Sequence, residues 1–190
     1  MGLLDAILGR TKARPPDLDR LFAIPAAAIT LEAEAGLRPA GAAAVSLKPA
    51  SGRSFAEVQT ELADLVALAA KEASSRVSQE EDSYGYQWIV VRDPDLDDLV
   101  TTVHLVNSTL ADRGFGPQLL ASVFAFTGDQ AETVHLVYLY KRGSFYPFAP
   151  TGKERRDNAT ELRVRDSVAG ELPVEHDLTR WFPIWGVPLP

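Results

Sequence analysis

The chain has 190 residues, contains no cysteine and carries a formal net charge of −7 at pH 7. The absence of cysteine excludes a disulfide framework, a thiol nucleophile and a cysteine-based zinc site. The acidic balance disfavours nucleic acid as a partner, because sequence-independent binding needs basic surface, although a local basic site stays compatible with it. A chain of this length can bury a core without such staples, so one folded domain is expected.

Residues 1–16 form an amphipathic segment that ends at a Pro-Pro pair. Four apolar residues share one helical face ahead of a cationic stretch: Leu3, Leu4, Ile7 and Leu8. A secretory signal has its charges first, so this order predicts no export. We expect the segment to dock on a membrane surface or a partner, or else to pack on its own domain. No stretch approaches the ~20 apolar residues of a transmembrane helix. A cytoplasmic protein is therefore expected, with peripheral contact at the inner face of the membrane left open.

Residues 17–190 are expected to form a single α+β domain. Its first half predicts a short helix at Asp17–Ile24 that stops at Pro25, strands at Ala28–Glu34 and Gly41–Lys48 that form a hairpin, and an amphipathic helix at Ser54–Lys71. A strand around Arg76–Ser78 and a strand at Tyr86–Arg92 with two apolar faces follow. A strand of the latter kind is buried on both sides.

The second half predicts one helix and then strands. Asp93 is the expected N-cap of a helix that ends at Gly114, a position typical of a glycine cap. The expected strands are Leu119–Thr127, Thr133–Lys141, Phe145–Phe148 and Thr160–Arg165. Runs of strands interrupted by two main helices predict a mostly antiparallel or mixed sheet with the helices packed on it. The sequence shows a weak internal similarity, which either a duplicated β-β-α unit or coincidence explains. By analogy, the predicted grouping of strands and helices resembles secretion-chaperone-like folds.

The sequence matches known metal and cofactor motifs only in part. Asp93, Asp95 and Asp97 mimic the start of a calcium loop, but the twelfth position of the loop, which needs glutamate, holds His104. Helix capping explains the carboxylates better. The histidines lie in separate elements, no hydrolase elbow or phosphate loop occurs, and we predict no metal, no cofactor and no catalytic residue.

The stretch 134–161 interleaves aromatic and basic side chains. Residues 141–165 carry seven basic against three acidic residues. The candidate residues for binding a partner or an anion are Tyr138, Tyr140, Lys141, Arg142, Tyr146, Arg155, Arg156, Asp157 and Asn158. Such a surface suits a phosphate, an acidic peptide or an anionic headgroup. The aromatic residues are also typical of strand packing, which is the favoured interpretation, and the binding surface stays open as the alternative. For the apolar run 181–185, docking on its own domain is favoured over an exposed partner motif.

Five long phrases of the sequence are distinctive: Met1-Gly2-Leu3-Leu4-Asp5, Gly114-Phe115-Gly116-Pro117-Gln118, Tyr138-Leu139-Tyr140-Lys141-Arg142-Gly143, Phe145-Tyr146-Pro147-Phe148-Ala149-Pro150 and Arg180-Trp181-Phe182-Pro183-Ile184-Trp185-Gly186. Together they resemble the PspA-associated protein PspAB family of actinobacteria. The resemblance implies a PspA-like protein, or another component of that membrane-stress system, as partner, and it supplies no catalytic residues. The leading hypothesis is a non-enzymatic accessory module of a PspA-type envelope-stress response. The alternative is an enzyme or ligand-binding domain for a phosphorylated or anionic small molecule that uses Arg155–Asn158. The oligomeric state stays open.

Overall fold

The computed structural model describes residues 17–48, 60, 63, 75–152 and 154–190. Within this part of the chain it contains a six-stranded antiparallel sheet with the order β2-β3-β1-β4-β5-β6 and three α-helices. The strands are β1 (Arg38–Leu47), β2 (Arg76–Glu81), β3 (Gln87–Arg92), β4 (Leu119–Thr127), β5 (Thr133–Leu139) and β6 (Ser144–Phe148). The helices are α1 (Ile24–Ala35), α2 (Leu96–Leu110) and α3 (Asn158–Val168). The predicted α+β class is confirmed.

The two faces of the sheet are covered by different parts of the chain. The face we call the helix face carries Tyr138 and Ser122, which are paired across β4 and β5, and it receives α2 through a 2.9 Å hydrogen bond from the Asn107 amide to Ser122. Because side chains alternate along a strand, Val137 and Leu139 point to the opposite side, which we call the groove face. Most side chains of β3, β4 and β5 are buried on both faces, and these strands contain few polar residues, whereas the edge strand β2 is polar and mostly exposed.

The predicted hairpin near the start of the domain is wrong. Pro25 does not stop the helix expected at Asp17–Ile24: a 3₁₀ turn at Leu18–Ala23 leads into α1, and Pro25 lies in the first turn of α1. Ala28–Glu34 is therefore helical, with Leu31 buried and the intervening Ile29 exposed. The alanine-rich sequence favours helix, and proline is well tolerated in a first turn because it has no N–H to lose there. Gly41–Lys48 is part of β1, which pairs with β3 and β4 instead.

Two further boundaries differ from the prediction. Thr160–Arg165 is not a strand but lies within α3, which Asp157 caps by accepting hydrogen bonds from the backbone N–H groups of Ala159 and Thr160. The cap of α2 is Asp95 rather than Asp93. The carboxylate of Asp93 is buried and accepts hydrogen bonds from Ser75 Oγ at 2.8 Å and from the Asp95 N–H. Asp93 thus links the start of β2 to the entrance of α2.

The remaining strands agree with the prediction. The strand around Arg76 is β2, the doubly buried strand is β3, and the Gly128-Asp129 turn joins β4 and β5. Gly114 has φ +89 at the end of the helical stretch, as expected of a glycine that ends a helix. The predicted helix Ser54–Lys71, except for residues 60 and 63, and the amphipathic segment 1–16 lie outside the described residues.

Candidate functional site

An open groove of about 500 Å³ lies on the groove face. Its floor is a row of cross-strand neighbours from four strands: Trp88, Ser46, Ala121 and Leu139. Serine and alanine stand between larger side chains in this row, so the middle of the floor is low. Most of the described lining is apolar.

The first wall of the groove is the turn between β2 and β3. The carboxylate of Asp82 accepts three hydrogen bonds there, from Tyr84 N at 2.8 Å, Tyr86 N at 3.0 Å and Trp88 Nε1 at 2.8 Å. These bonds satisfy the carboxylate and fix the turn. Tyr84 is 56% exposed as a residue, and its ring faces the opposite wall, where a Cβ at Gly186 would lie 3.6 Å from it.

The second wall is formed by the 173–190 segment. It includes residues 182–185 and is anchored to the sheet, because the Tyr146 hydroxyl donates a 2.7 Å hydrogen bond to the Phe182 carbonyl oxygen. The Trp185 ring stacks edge-on against Phe148. The prediction that this apolar run docks on its own domain holds for Trp181, which is buried, whereas the Phe182 ring is 60% exposed beside the groove.

Two buried titratable groups lie under this segment. The imidazole of His135 is 2% exposed, and its Nε2 donates to the Pro190 carbonyl oxygen at 3.0 Å. Burial lowers the pKa of His135, because the charged form loses its hydration, and the hydrogen bond to Pro190 partly offsets this effect. Burial raises the pKa of Tyr146, because the charged form of a tyrosine is the deprotonated one. Both side chains are therefore neutral at pH 7.

Lys141 and Arg142 lie at one end of the groove, and they differ in whether their charge is paired. The Arg142 guanidinium pairs with the buried carboxylate of Glu175. Burial alone would raise the pKa of Glu175, but hydrogen bonds from Arg142, the Asp177 N–H and Ser144 hold it below its usual value. The ammonium group of Lys141 has no ion pair or hydrogen bond with any residue that the structure describes, and the side chain is exposed. Among the described residues at this end of the groove, the positive charge without a partner is therefore that of Lys141.

Tyr138 and Tyr140 do not line the groove. Tyr138 lies on the helix face and donates a 2.7 Å hydrogen bond from its hydroxyl to the Asp17 carbonyl oxygen. Burial, with a smaller contribution from the Asp17 carboxylate, raises the pKa of Tyr138 to about 12. Tyr140 is also buried, and burial followed by the charge of Asp112 raises its pKa. For these two rings the packing interpretation agrees with their burial.

The Arg155–Asn158 stretch lies apart from the groove. Arg156 Nε donates to both oxygens of the buried Glu161 carboxylate, at 2.8 and 2.9 Å, and its Nη1 donates to the Trp181 carbonyl oxygen. Asp157 is the cap of α3, and hydrogen bonds from Thr160 lower its pKa. Arg156 and Asn158 border a separate hollow of about 280 Å³, and Arg155 is exposed. The structure thus does not bring the arginine-rich stretch and the three tyrosines into one concavity.

The three histidines lie in separate parts of the structure. His104 lies 3.4 Å from Asp19, His135 is buried beneath Pro190, and His176 is exposed. Among the described residues no cluster of three or more His, Asp and Glu side chains could hold a metal ion. In the same part of the chain, no helix has the length and apolar character needed to cross a membrane.

The family model of PspA associated protein B matches residues 1–189. The chain belongs to this family. The resemblance indicated by the sequence phrases is therefore confirmed over the whole chain. Comparison with curated proteins gives no match, and comparison with solved structures gives none either. The name of the PspA associated protein B family records an association with PspA and specifies no binding residue.

Most of the groove in this PspA associated protein B family member was not predicted. Of the candidate residues, Lys141, Arg142 and Tyr146 line it, whereas Asp82, Trp88 and the floor residues were not singled out. The candidates Leu3, Leu4, Ile7 and Leu8 lie outside the described residues. Ser46 and Ala121 are small, but β1 and β4 contain several other small residues. Only the strand register that pairs Ser46 with Ala121 shows that together they form the low part of the floor.

Proposed function

We propose that the protein is a non-enzymatic accessory protein that binds a PspA-type protein in a membrane-stress response, with the groove as its contact site. The observation that carries this proposal is the open apolar groove itself, walled by the β2–β3 turn and the 173–190 segment. The family name supports PspA as the partner. The site includes Lys141, Arg142 and Tyr146, three of the residues that the sequence indicated.

The exposure of large apolar rings at the mouth of the groove supports a protein partner. Phe182 is 60% exposed and Tyr84 is 56% exposed on the two opposing walls. Aromatic side chains that border a concave apolar site are typical of interaction surfaces, and covering them removes apolar area from water. A partner that inserts between the walls would bury both rings.

The fixed geometry of the walls also supports binding. Asp82 holds one wall by three hydrogen bonds, and Tyr146 holds the other through the Phe182 carbonyl oxygen. Because these backbone groups are already ordered, association loses less conformational entropy than it would with a loose loop. A preformed groove of this kind suits a recognition site.

The contacts of Arg155–Asn158 argue against the alternative function, an enzyme or ligand-binding domain for a phosphorylated or anionic small molecule. An anion site there needs guanidinium and amide groups that are free to turn toward a ligand. Arg156 already donates three hydrogen bonds to Glu161 and Trp181, and the Asp157 carboxylate accepts hydrogen bonds from the first turn of α3. Arg156 thereby connects α3 to the 173–190 segment, and Asp157 stabilises the first turn of α3.

Calorimetric titration of the purified full chain with the PspA-type protein of the same cells tests the proposal. A saturable heat of binding is expected, together with co-elution of the two proteins in gel filtration. The control is an unrelated protein of equal net charge in place of the full chain. Heats no larger than those of the control would overturn the proposed function.

A further inference from the structure

We infer that the groove recognises an acidic apolar segment of its partner, whose carboxylate pairs with Lys141 while large apolar side chains fill the groove. This inference rests on the proposed function and specifies the chemistry of the partner's contact element. The observation that carries it is Lys141, a cation at the end of an apolar groove that is unpaired among the residues the structure describes. A purely apolar occupant would leave that charge without a partner at the edge of a dry interface.

The charges along the described lining explain why a carboxylate is required. Three charged side chains lie there, and two of them are already paired: Asp82 within its own turn and Arg142 with Glu175. Lys141 has no such partner among the described residues. Lys48 adds positive potential, because its Nζ lies 5.5 Å from the centroid of the Tyr86 ring in the first wall. Among the described lining residues, Lys141 is therefore the charged group without a partner, and its charge favours an anion.

The volume of the groove limits the apolar part of the occupant. A cavity of ~150 Å³ accommodates a benzene ring. The groove of about 500 Å³ therefore has room for roughly three side chains of that size. The matching element is a segment with about three large apolar side chains and an Asp or Glu beside them, with the carboxylate at the end where Lys141 lies.

Charge reversal at Lys141 tests the inference in the full-length protein. Fluorescence anisotropy would measure the affinity for the PspA-type protein and for overlapping peptides of its sequence. Each acidic peptide would also be made with Asn or Gln in place of Asp or Glu. The variant Lys141→Glu is compared with Arg163→Glu, which makes the same change of net charge at an exposed position of α3.

Lys141→Glu is expected to weaken binding about fivefold relative to Arg163→Glu, since exposed ion pairs contribute up to ~1 kcal/mol. Replacing the partner's carboxylate by an amide is expected to weaken binding to the wild-type chain and not to Lys141→Glu. Rising salt is expected to weaken the wild-type complex more than the Lys141→Glu complex.

Other outcomes separate the inference from the proposed function. Equal affinities of Lys141→Glu and Arg163→Glu would overturn the carboxylate contact. If Phe182→Asp still abolished binding in that case, the groove would stand as the binding site. No binding of the wild-type chain to the PspA-type protein would overturn both proposals. Binding to vesicles of anionic phospholipid without binding to that protein would do the same, and it would identify a lipid surface as the occupant of the groove only if it survived deletion of residues 1–16.

Discussion

The phenolic hydroxyl of Tyr146 donates a 2.7 Å hydrogen bond to the carbonyl oxygen of Phe182. Tyr146 lies in β6 with 1% of its surface exposed, whereas the Phe182 ring is largely in solvent. The bond therefore fixes the backbone of an exposed residue to the buried sheet. One wall of the groove depends on this connection.

Removing the hydroxyl with Tyr146→Phe should lower the free energy of unfolding by about 1 to 2 kcal/mol, because the Phe182 carbonyl loses its buried donor. Urea denaturation followed by circular dichroism measures the change. Tyr84→Phe is the matched control, since the Tyr84 ring is 56% exposed. A Tyr146→Phe variant as stable as this control would contradict the proposed anchoring.

His135 should make the fold less stable in mild acid. Its pKa is lowered from 6.5 in the folded chain, mainly by burial. Below pH 6.5 the unfolded chain binds the proton and the folded chain does not, so the free energy of unfolding falls as the pH falls toward the lowered pKa. The loss is at most about 1.4 kcal/mol per pH unit.

Urea denaturation at pH 7.5 and at pH 5.5 tests this pH dependence. His135→Asn should reduce the difference in stability between the two pH values. His176→Asn, which changes an exposed histidine, should leave that difference unchanged. The same pH dependence in both variants would rule out His135 as its source.

Gly41→Ala should destabilise the junction between β1 and α2. Gly41 has φ +66, a conformation that costs a residue with a side chain about 1 to 2 kcal/mol, and an added Cβ would lie 3.1 Å from the Asp93 carbonyl oxygen. Gly170→Ala is the control, because a Cβ there meets no atom within 4 Å. Thermal unfolding measures both. Equal melting temperatures would show that β1 adapts to the side chain.

Deletion of residues 1–16 should abolish flotation with liposomes that contain anionic phospholipid. The sequence of this segment, with apolar residues such as Leu4 and Ile7 followed by cationic residues, favours contact with such a surface. Flotation assays of the full chain and the deletion variant measure the effect. Equal flotation of the two proteins would remove membrane contact by this segment.

Local signals predicted most of the sheet, and they failed where two structures share one pattern. Ile29 and Leu31 alternate as in a strand, but in α1 the same spacing places one in solvent and the other in the core. Thr160–Arg165 contains the β-branched residues that favour strands, whereas the Asp157 cap starts a helix. In both places the capping or first-turn signal was more informative than the alternation.

The candidate site was predicted only in part, because its geometry is not local in the sequence. Lys141 and Tyr146 were predicted only because aromatic and basic residues alternate in the sequence around them. The same reasoning grouped them with Tyr138, although strand alternation places Tyr138 on the opposite face. The floor brings Ser46 and Ala121 together from β1 and β4, and that pairing follows from the sheet order.

The most direct test of the groove as the binding site changes its exposed rim without changing its core. Phe182→Asp should weaken binding of the full chain to the PspA-type protein at least about tenfold, because it places a charge where an apolar ring should be buried. Ile29→Asp makes the same kind of change at a residue of α1 that is 74% exposed, and it should leave the affinity unchanged. Calorimetric titration of the wild type and both variants gives the answer. Wild-type affinity in Phe182→Asp would contradict the groove as the contact site.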